Sequence, residues 1–180
     1  MTVFAAFLRG VNLGPVNKLS MPALRDALEA GGFPGAKTYL NSGNVVLSSA
    51  RRAATVEREL AALIRETFGL DLDLTVRTLS QLRAVLADNP FPDGNPSQVT
   101  VAFLSSEPGP AAPDRVQALA TEHEPFVFTG REVYVHYGKG LGQSSLARRF
   151  SAAVGVSATV RTIRTVEKVV ELAGEHRDVN

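Results

Sequence analysis

A chain of 180 residues with 44% apolar side chains is long enough for one sizeable domain or two small ones, and lies far from a disordered composition. A net charge of +1 excludes global steering toward nucleic acid or an anionic membrane, and the lack of cysteine excludes disulfides, a thiol nucleophile and thiolate metal sites. No run approaches the roughly 18 apolar residues of a membrane-spanning helix, and Met1-Thr2-Val3-Phe4 carries neither the basic stretch nor the cleavage site of a signal peptide, so a cytoplasmic location is expected.

Val3 to Arg9 reads as a strand with apolar residues on both faces, which places it centrally in its sheet. Ser20 is a candidate N-cap for a helix carrying Met21, Leu24, Ala27 and Leu28, stopped by Gly31-Gly32. Short strands over Ala36–Leu40 and Asn44–Ser48 join through Ser42-Gly43, a tight hairpin signal. Val56, Leu60, Leu63, Ile64 and Phe68 form a helical stripe ending at Gly69. In the next strand Leu72, Leu74 and Val76 alternate with Asp73, Thr75 and Arg77, which predicts one wet face. The order is β-α-β-β-α-β, that of the ferredoxin-like unit.

A short helix over Ser80–Ala87 leads to a stretch, 89–97, holding three prolines and a glycine. Beyond it the order repeats. Gln98–Leu104 is a doubly apolar strand, Pro113–Ala120 a helix, and Glu124–Thr129 pairs with Glu132–Tyr137 around Gly130. Leu146, Phe150 and Val154 mark a helix ending at Gly155; a strand over Ala158–Thr162 then runs into a helix capped by Thr165 and closed by Gly174. The expected fold class is α+β, a tandem duplication of ferredoxin-like units. They span 1–88 and 98–180 with 89–97 as junction, and show no residue-level repeat.

Leu8-Arg9-Gly10-Val11-Asn12, Asn17 and Met21-Pro22-Ala23-Leu24-Arg25 resemble the opening of the bacterial family called domain of unknown function 1697. Thr38-Tyr39-Leu40-Asn41-Ser42-Gly43-Asn44-Val45-Val46 is similar to its most characteristic stretch, and Ala158-Thr159-Val160-Arg161 with Thr165-Val166-Glu167-Lys168 to its closing motif. Pro15, Asn41, Ile163 and Arg164 depart from the family pattern. The resemblance implies a duplicated ferredoxin-like fold and no established activity.

In this topology the first and second strands run parallel, so the loop after the first and the hairpin after the second share one end of the sheet. Arg9, Asn12 and Asn17 would there face Tyr39, Ser42 and Asn44. One cation among amides and hydroxyls could hold a small polar ligand or an anion. The plainer role for the same groups is to satisfy turn amides. Gly138–Ser145 approaches a helix carrying Arg148 and Arg149, but matches neither the P-loop nor the dinucleotide fingerprint; a turn with Ser144 or Ser145 as N-cap is the simpler account. His123, His136 and His176 have no metal-ligand spacing, and nothing points to a cofactor. Glu122, His123 and Glu124 read as a solvated turn; Arg161 and Arg164 could bind an anion, but solvation at the strand edge is the simpler account.

RNA recognition motifs share this topology and stack bases on aromatics of the first and third strands. Val45-Val46-Leu47 has none, which ranks nucleic acid below a small ligand. The doubly apolar central strands call for a cover over the open sheet face, either the other unit or a second copy in a homodimer. The leading functional expectation is therefore small-ligand or anion binding at the Arg9–Asn17 loop and Asn41–Asn44 hairpin. An enzyme at the same surface comes next, then nucleic-acid binding, then a structural role.

Overall fold

The computed structural model describes residues 1–178, with side chains through residue 176. Val179 and Asn180, the end of the expected second unit, lie outside the described residues. The chain divides into two compact units, one made of Met1–Ala84 with the chain from Lys168 onward, the other of Val85–Glu167.

In the first unit, β1 (Thr2–Leu8), α1 (Met21–Ala30), β2 (Lys37–Tyr39), β3 (Asn44–Ser49), α2 (Ala53–Phe68) and β4 (Leu74–Thr78) follow one another. The sheet order is β2-β3-β1-β4 with every pair antiparallel, the ferredoxin-like arrangement. Ser20 caps α1, accepting from the Ala23 N–H, and Gly69 closes α2 in the left-handed conformation. Leu24 and Leu28 of α1, with Val56, Leu60 and Ile64 of α2, bury one stripe each against Phe4, Ala6, Leu8, Val45 and Leu47. Removing each such side chain from water contributes roughly 1.5–3 kcal/mol.

The wet face expected of the fourth strand is absent. Thr75 and Arg77 are 1% and 2% exposed, as buried as the apolar Val76 between them. The alternation is real, but it records a polar, covered face rather than a solvated one. Arg77 satisfies part of its guanidinium by donating to the Val76 carbonyl at 3.1 Å.

The second unit repeats the order with β5 (Val99–Leu104), α4 (Ala112–Gln117), β6 (Phe126–Thr129), β7 (Glu132–His136), α5 (Ser145–Val154) and β8 (Ala158–Thr162), in the sheet order β6-β7-β5-β8. Val116, Leu146, Phe150 and Val154 pack on Ala102, Leu104, Val133 and Val135. Every residue of β5, and every residue of β1 after Thr2, is buried. On the side of β7 away from this core, the buried Tyr134 donates to the Val85 carbonyl at 2.9 Å.

Each fourth strand runs directly into a helix, α3 (Leu79–Ala87) or α6 (Ile163–Asp178). Thr78 and Gln81 exchange reciprocal hydrogen bonds at the start of α3, a capping box. At the start of α6 the Thr165 N–H donates to the Thr162 hydroxyl at 3.3 Å. The cap is therefore Thr162, not Thr165, and the helix continues through Gly174. Aligning these starts exposes a repeat that sequence reading missed: Thr75-Val76-Arg77-Thr78-Leu79 matches Thr159-Val160-Arg161-Thr162-Ile163. Arg77 pairs in register with Ala5 on β1, and Arg161 with Val101 on β5. Arg161 is partly buried, and burial pulls its guanidinium down to about 10, so it remains charged at neutral pH without being a freely solvated edge residue.

Candidate functional site

Because β1 and β2 are both antiparallel to β3, they run parallel, and their C-terminal loops meet at one rim. The Leu8 N–H donates to the Gly43 carbonyl at 2.8 Å, and the Arg9 N–H to the Asp73 carbonyl at 2.9 Å. The second contact brings in a third segment, since β4 starts where β1 ends. The Asn12 N–H bonds to the Asn17 carbonyl, and a bridge between Leu13 and Val16 closes a small projecting hairpin.

The asparagines build this rim. Asn12 donates through Nδ2 to the Leu19 and Asn41 carbonyls at 2.9 and 2.8 Å, and its Oδ1 accepts from the Leu19 N–H. It thereby ties the β1 loop to the β2–β3 hairpin. Asn17 donates to the Gly10 carbonyl at 3.1 Å. The fully buried Asn44 donates to the Tyr39 carbonyl and the Ser42 hydroxyl at 2.7 and 3.2 Å. Asn12 and Asn17 also hold positive φ, which asparagine tolerates better than most residues.

The six sequence-derived residues thus reach one rim but separate into two groups. Arg9 and Asn17 line a shallow cavity of ≈ 290 Å³ with Gly10, Asp71, Leu72 and Asp73. Asn12, Tyr39, Ser42 and Asn44 do not line it and hold the hairpin in place. The Arg9 guanidinium lies 3.1 Å from the Asp73 carboxylate, both partly exposed. Sequence reading missed Asp71 and Asp73. The signal was available, because in this topology the fourth strand's start lies beside the first strand's end.

In the second unit, β7 ends beside the start of β5, with His136 opposite Val99, so the glycine-rich turn lies at the far end from the β5 loop. Residues 121–124, with Lys139, Gly140, Gln143, Ser144 and Ser145, line a cavity of ≈ 410 Å³ there. Ser144 is the N-cap of α5, accepting from the Ala147 N–H at 2.9 Å. Glu124 is not solvated as expected but 7% exposed. Its carboxylate accepts from the backbone N–H and hydroxyl of Thr121 at 2.9 and 3.1 Å, so protein donors replace water. Burial alone would raise its pKa, but hydrogen bonds from Ser144 and Thr121, with His123 nearby, offset that and hold it below the ordinary carboxylate value.

A depressed carboxylate contributes stability that is complete above its unfolded pKa and is lost as pH falls through its folded one. Urea midpoints measured between about pH 6 and pH 3 should therefore fall, and Glu124→Gln should flatten part of that fall. An unchanged pH profile in Glu124→Gln would show that Glu124 makes no contribution. His123 lies 3.3 Å from Glu122, and His136 stacks at a tilt on Phe91. His176 is buried, and burial together with Lys37 holds its pKa below the usual imidazole value. Among the described residues no group of three His, Asp or Glu is placed to hold a metal ion, and no helix is long and apolar enough to cross a membrane. Phe4 and Phe7 of β1 are buried, so neither offers an exposed stacking surface for a base.

Two βαββαβ units in one chain, each with its β1-type loop and its hairpin at one rim, define a tandem ferredoxin-like α+β protein. The chain belongs to the family described as protein of unknown function DUF1697, whose model matches residues 1–134. It is similar in structure to the conserved bacterial protein SP0830 from Streptococcus pneumoniae, with a TM-score of 0.75 and 20% sequence identity over 96% of this chain and 98% of that one. At that identity the likeness establishes the shared fold. No curated protein matches the chain.

Proposed function

We propose that the protein binds a small polar ligand bearing both charge signs in the rim cavity beside Arg9. One observation carries this reading: the cavity presents Arg9 and Asn17 together with Asp71 and Asp73. A simple anion would gain Arg9 but face two carboxylates of its own sign. A zwitterion replaces the Arg9–Asp73 pair with two matched contacts, its carboxylate toward Arg9 and its ammonium toward the aspartates, and Asn17 adds an amide. Opening the existing pair is inexpensive, because ion pairs exposed to solvent contribute about 0–1 kcal/mol. The asparagine-built hairpin keeps the rim rigid, which reduces the ordering cost of binding.

Arg9→Ala separates binding from stability. It is expected to lower stability by less than about 1 kcal/mol while abolishing heat of binding for free amino acids in titration calorimetry. If inorganic phosphate binds and amino acids do not, the site is an anion site and the zwitterion reading fails. If Arg9→Ala unfolds the protein, Arg9 is a structural residue and the cavity loses its cation.

A further inference from the structure

The residues lining the rim cavity do not balance in charge. Arg9 supplies one positive side chain, and Asp71 and Asp73 supply two negative ones. Arg9 and Asp73 are matched to each other at 3.1 Å. Asp71 is exposed and, among the described residues, its carboxylate has neither an ion pair nor a hydrogen bond. The rest of the lining is Gly10, Asn17 and Leu72, and Leu72 packs against the core of the first unit. The cavity therefore gives an aliphatic side chain little apolar surface to cover, while it gives a cation an unmatched carboxylate.

Resting on the zwitterion reading above, we infer that the ligand is an amino acid with a second cationic group on a short methylene stem, of the lysine or ornithine class. An amino acid carries its carboxylate and its α-ammonium on one carbon, so their partners must be neighbours, and Arg9 and Asp73 are. Asp71 stands two residues before Asp73, so their Cα atoms lie at most roughly 7 Å apart. That span suits the two amino groups of one diamino acid, its stem running along the segment from Asp73 to Asp71. Each charged side chain of the lining then faces an opposite charge, and the surplus negative charge meets the surplus positive charge of the ligand. A neutral amino acid leaves Asp71 unmatched, and an acidic one brings a second carboxylate against it.

Titration calorimetry on the full chain at low salt, with lysine, norleucine and cadaverine as probes, tests this. Norleucine shares the stem of lysine without its terminal amino group, and cadaverine is lysine without its carboxylate. One further contact between partly exposed charges predicts that lysine binds about three- to fivefold more tightly than norleucine. That margin should shrink as salt is raised. Asp71→Asn should bring the two affinities within about twofold of each other, and Asp71→Glu, which keeps the charge, should keep the preference. Equal binding of lysine and norleucine, or tighter binding of norleucine, would overturn the inference and leave the zwitterion reading standing. Cadaverine binding as tightly as lysine would overturn both, because no carboxylate would then be needed, and so would binding of none of the probes. A lysine preference that persists in Asp71→Asn would overturn the placing of the second cation at Asp71.

Discussion

Gly43→Ala is expected to lower the unfolding free energy by about 2–5 kcal/mol, the largest loss at the rim. Two separate terms contribute. Gly43 holds φ +80°, where a left-handed non-glycine residue costs about 1–2 kcal/mol. Its hypothetical Cβ would also come within 2.8 Å of the Val11 side chain and 2.9 Å of the Leu8 Cβ, both in the core. Inserting a methyl group there forces neighbours to move, at about 1–3 kcal/mol. The β1–β3 register suffers as well, because the Gly43 carbonyl accepts the Leu8 N–H. Gly69→Ala isolates the first term, since Gly69 has φ +67° and open space around its Cβ position. A drop in Tm of roughly 5–15 °C for Gly43→Ala, against a few degrees for Gly69→Ala, would separate the two. Equal losses would show that the close approach to Leu8 and Val11 relaxes freely.

Arg77→Ala should cost about 3–5 kcal/mol in urea unfolding. Arg77 is among the largest fully buried side chains, and its removal leaves both a void and a carbonyl at Val76 that loses its donor. Its counterpart Arg161 makes the same bond, to the Val160 carbonyl at 2.9 Å, but remains partly exposed. Arg161→Ala is accordingly expected to cost less, about 1–2 kcal/mol. Arg77→Met keeps the unbranched stem without the guanidinium. If it is as damaging as Arg77→Ala, the hydrogen-bonding head carries the stability rather than the packed stem. A loss below about 1 kcal/mol for Arg77→Ala would sink the argument.

The fold was legible because apolar spacing and glycine stops reported it directly: Leu24 and Leu28, then Val56, Leu60 and Ile64, lie where a 3.6-residue period places them, and Gly69 and Gly155 end their helices. What sequence reading misjudged were polar residues in buried places. Arg77 and Glu124 look solvated because charge predicts water, yet one packs on a covered sheet face and the other accepts from Thr121. Periodicity gives the side of a strand but not what lies over it. Thr165 seemed the cap of α6 because two threonines stand three residues apart and only backbone geometry distinguishes them. At the rim, Arg9 and Asn17 were found because their loop is adjacent in sequence to β1. Asp71 and Asp73 were missed because only strand pairing brings them there.

The grouping of residues from Lys168 onward with Met1–Ala84 has a consequence for biosynthesis. Met1–Ala84 leaves a ribosome before Val85–Glu167, yet its unit is completed after that one. Its Lys37 waits for Glu175, which lies 3.6 Å away in the finished chain. At ordinary translation rates of about 5–20 residues per second, the stretch separating Ala84 from Lys168 takes roughly 4–17 s to make. Val85–Glu167, by contrast, is continuous and can close on its own contacts as soon as it emerges. β2 stands at one edge of that unit's sheet during this interval and after it. At only three residues, Lys37–Tyr39, it is too short an edge to template pairing with a neighbouring nascent chain.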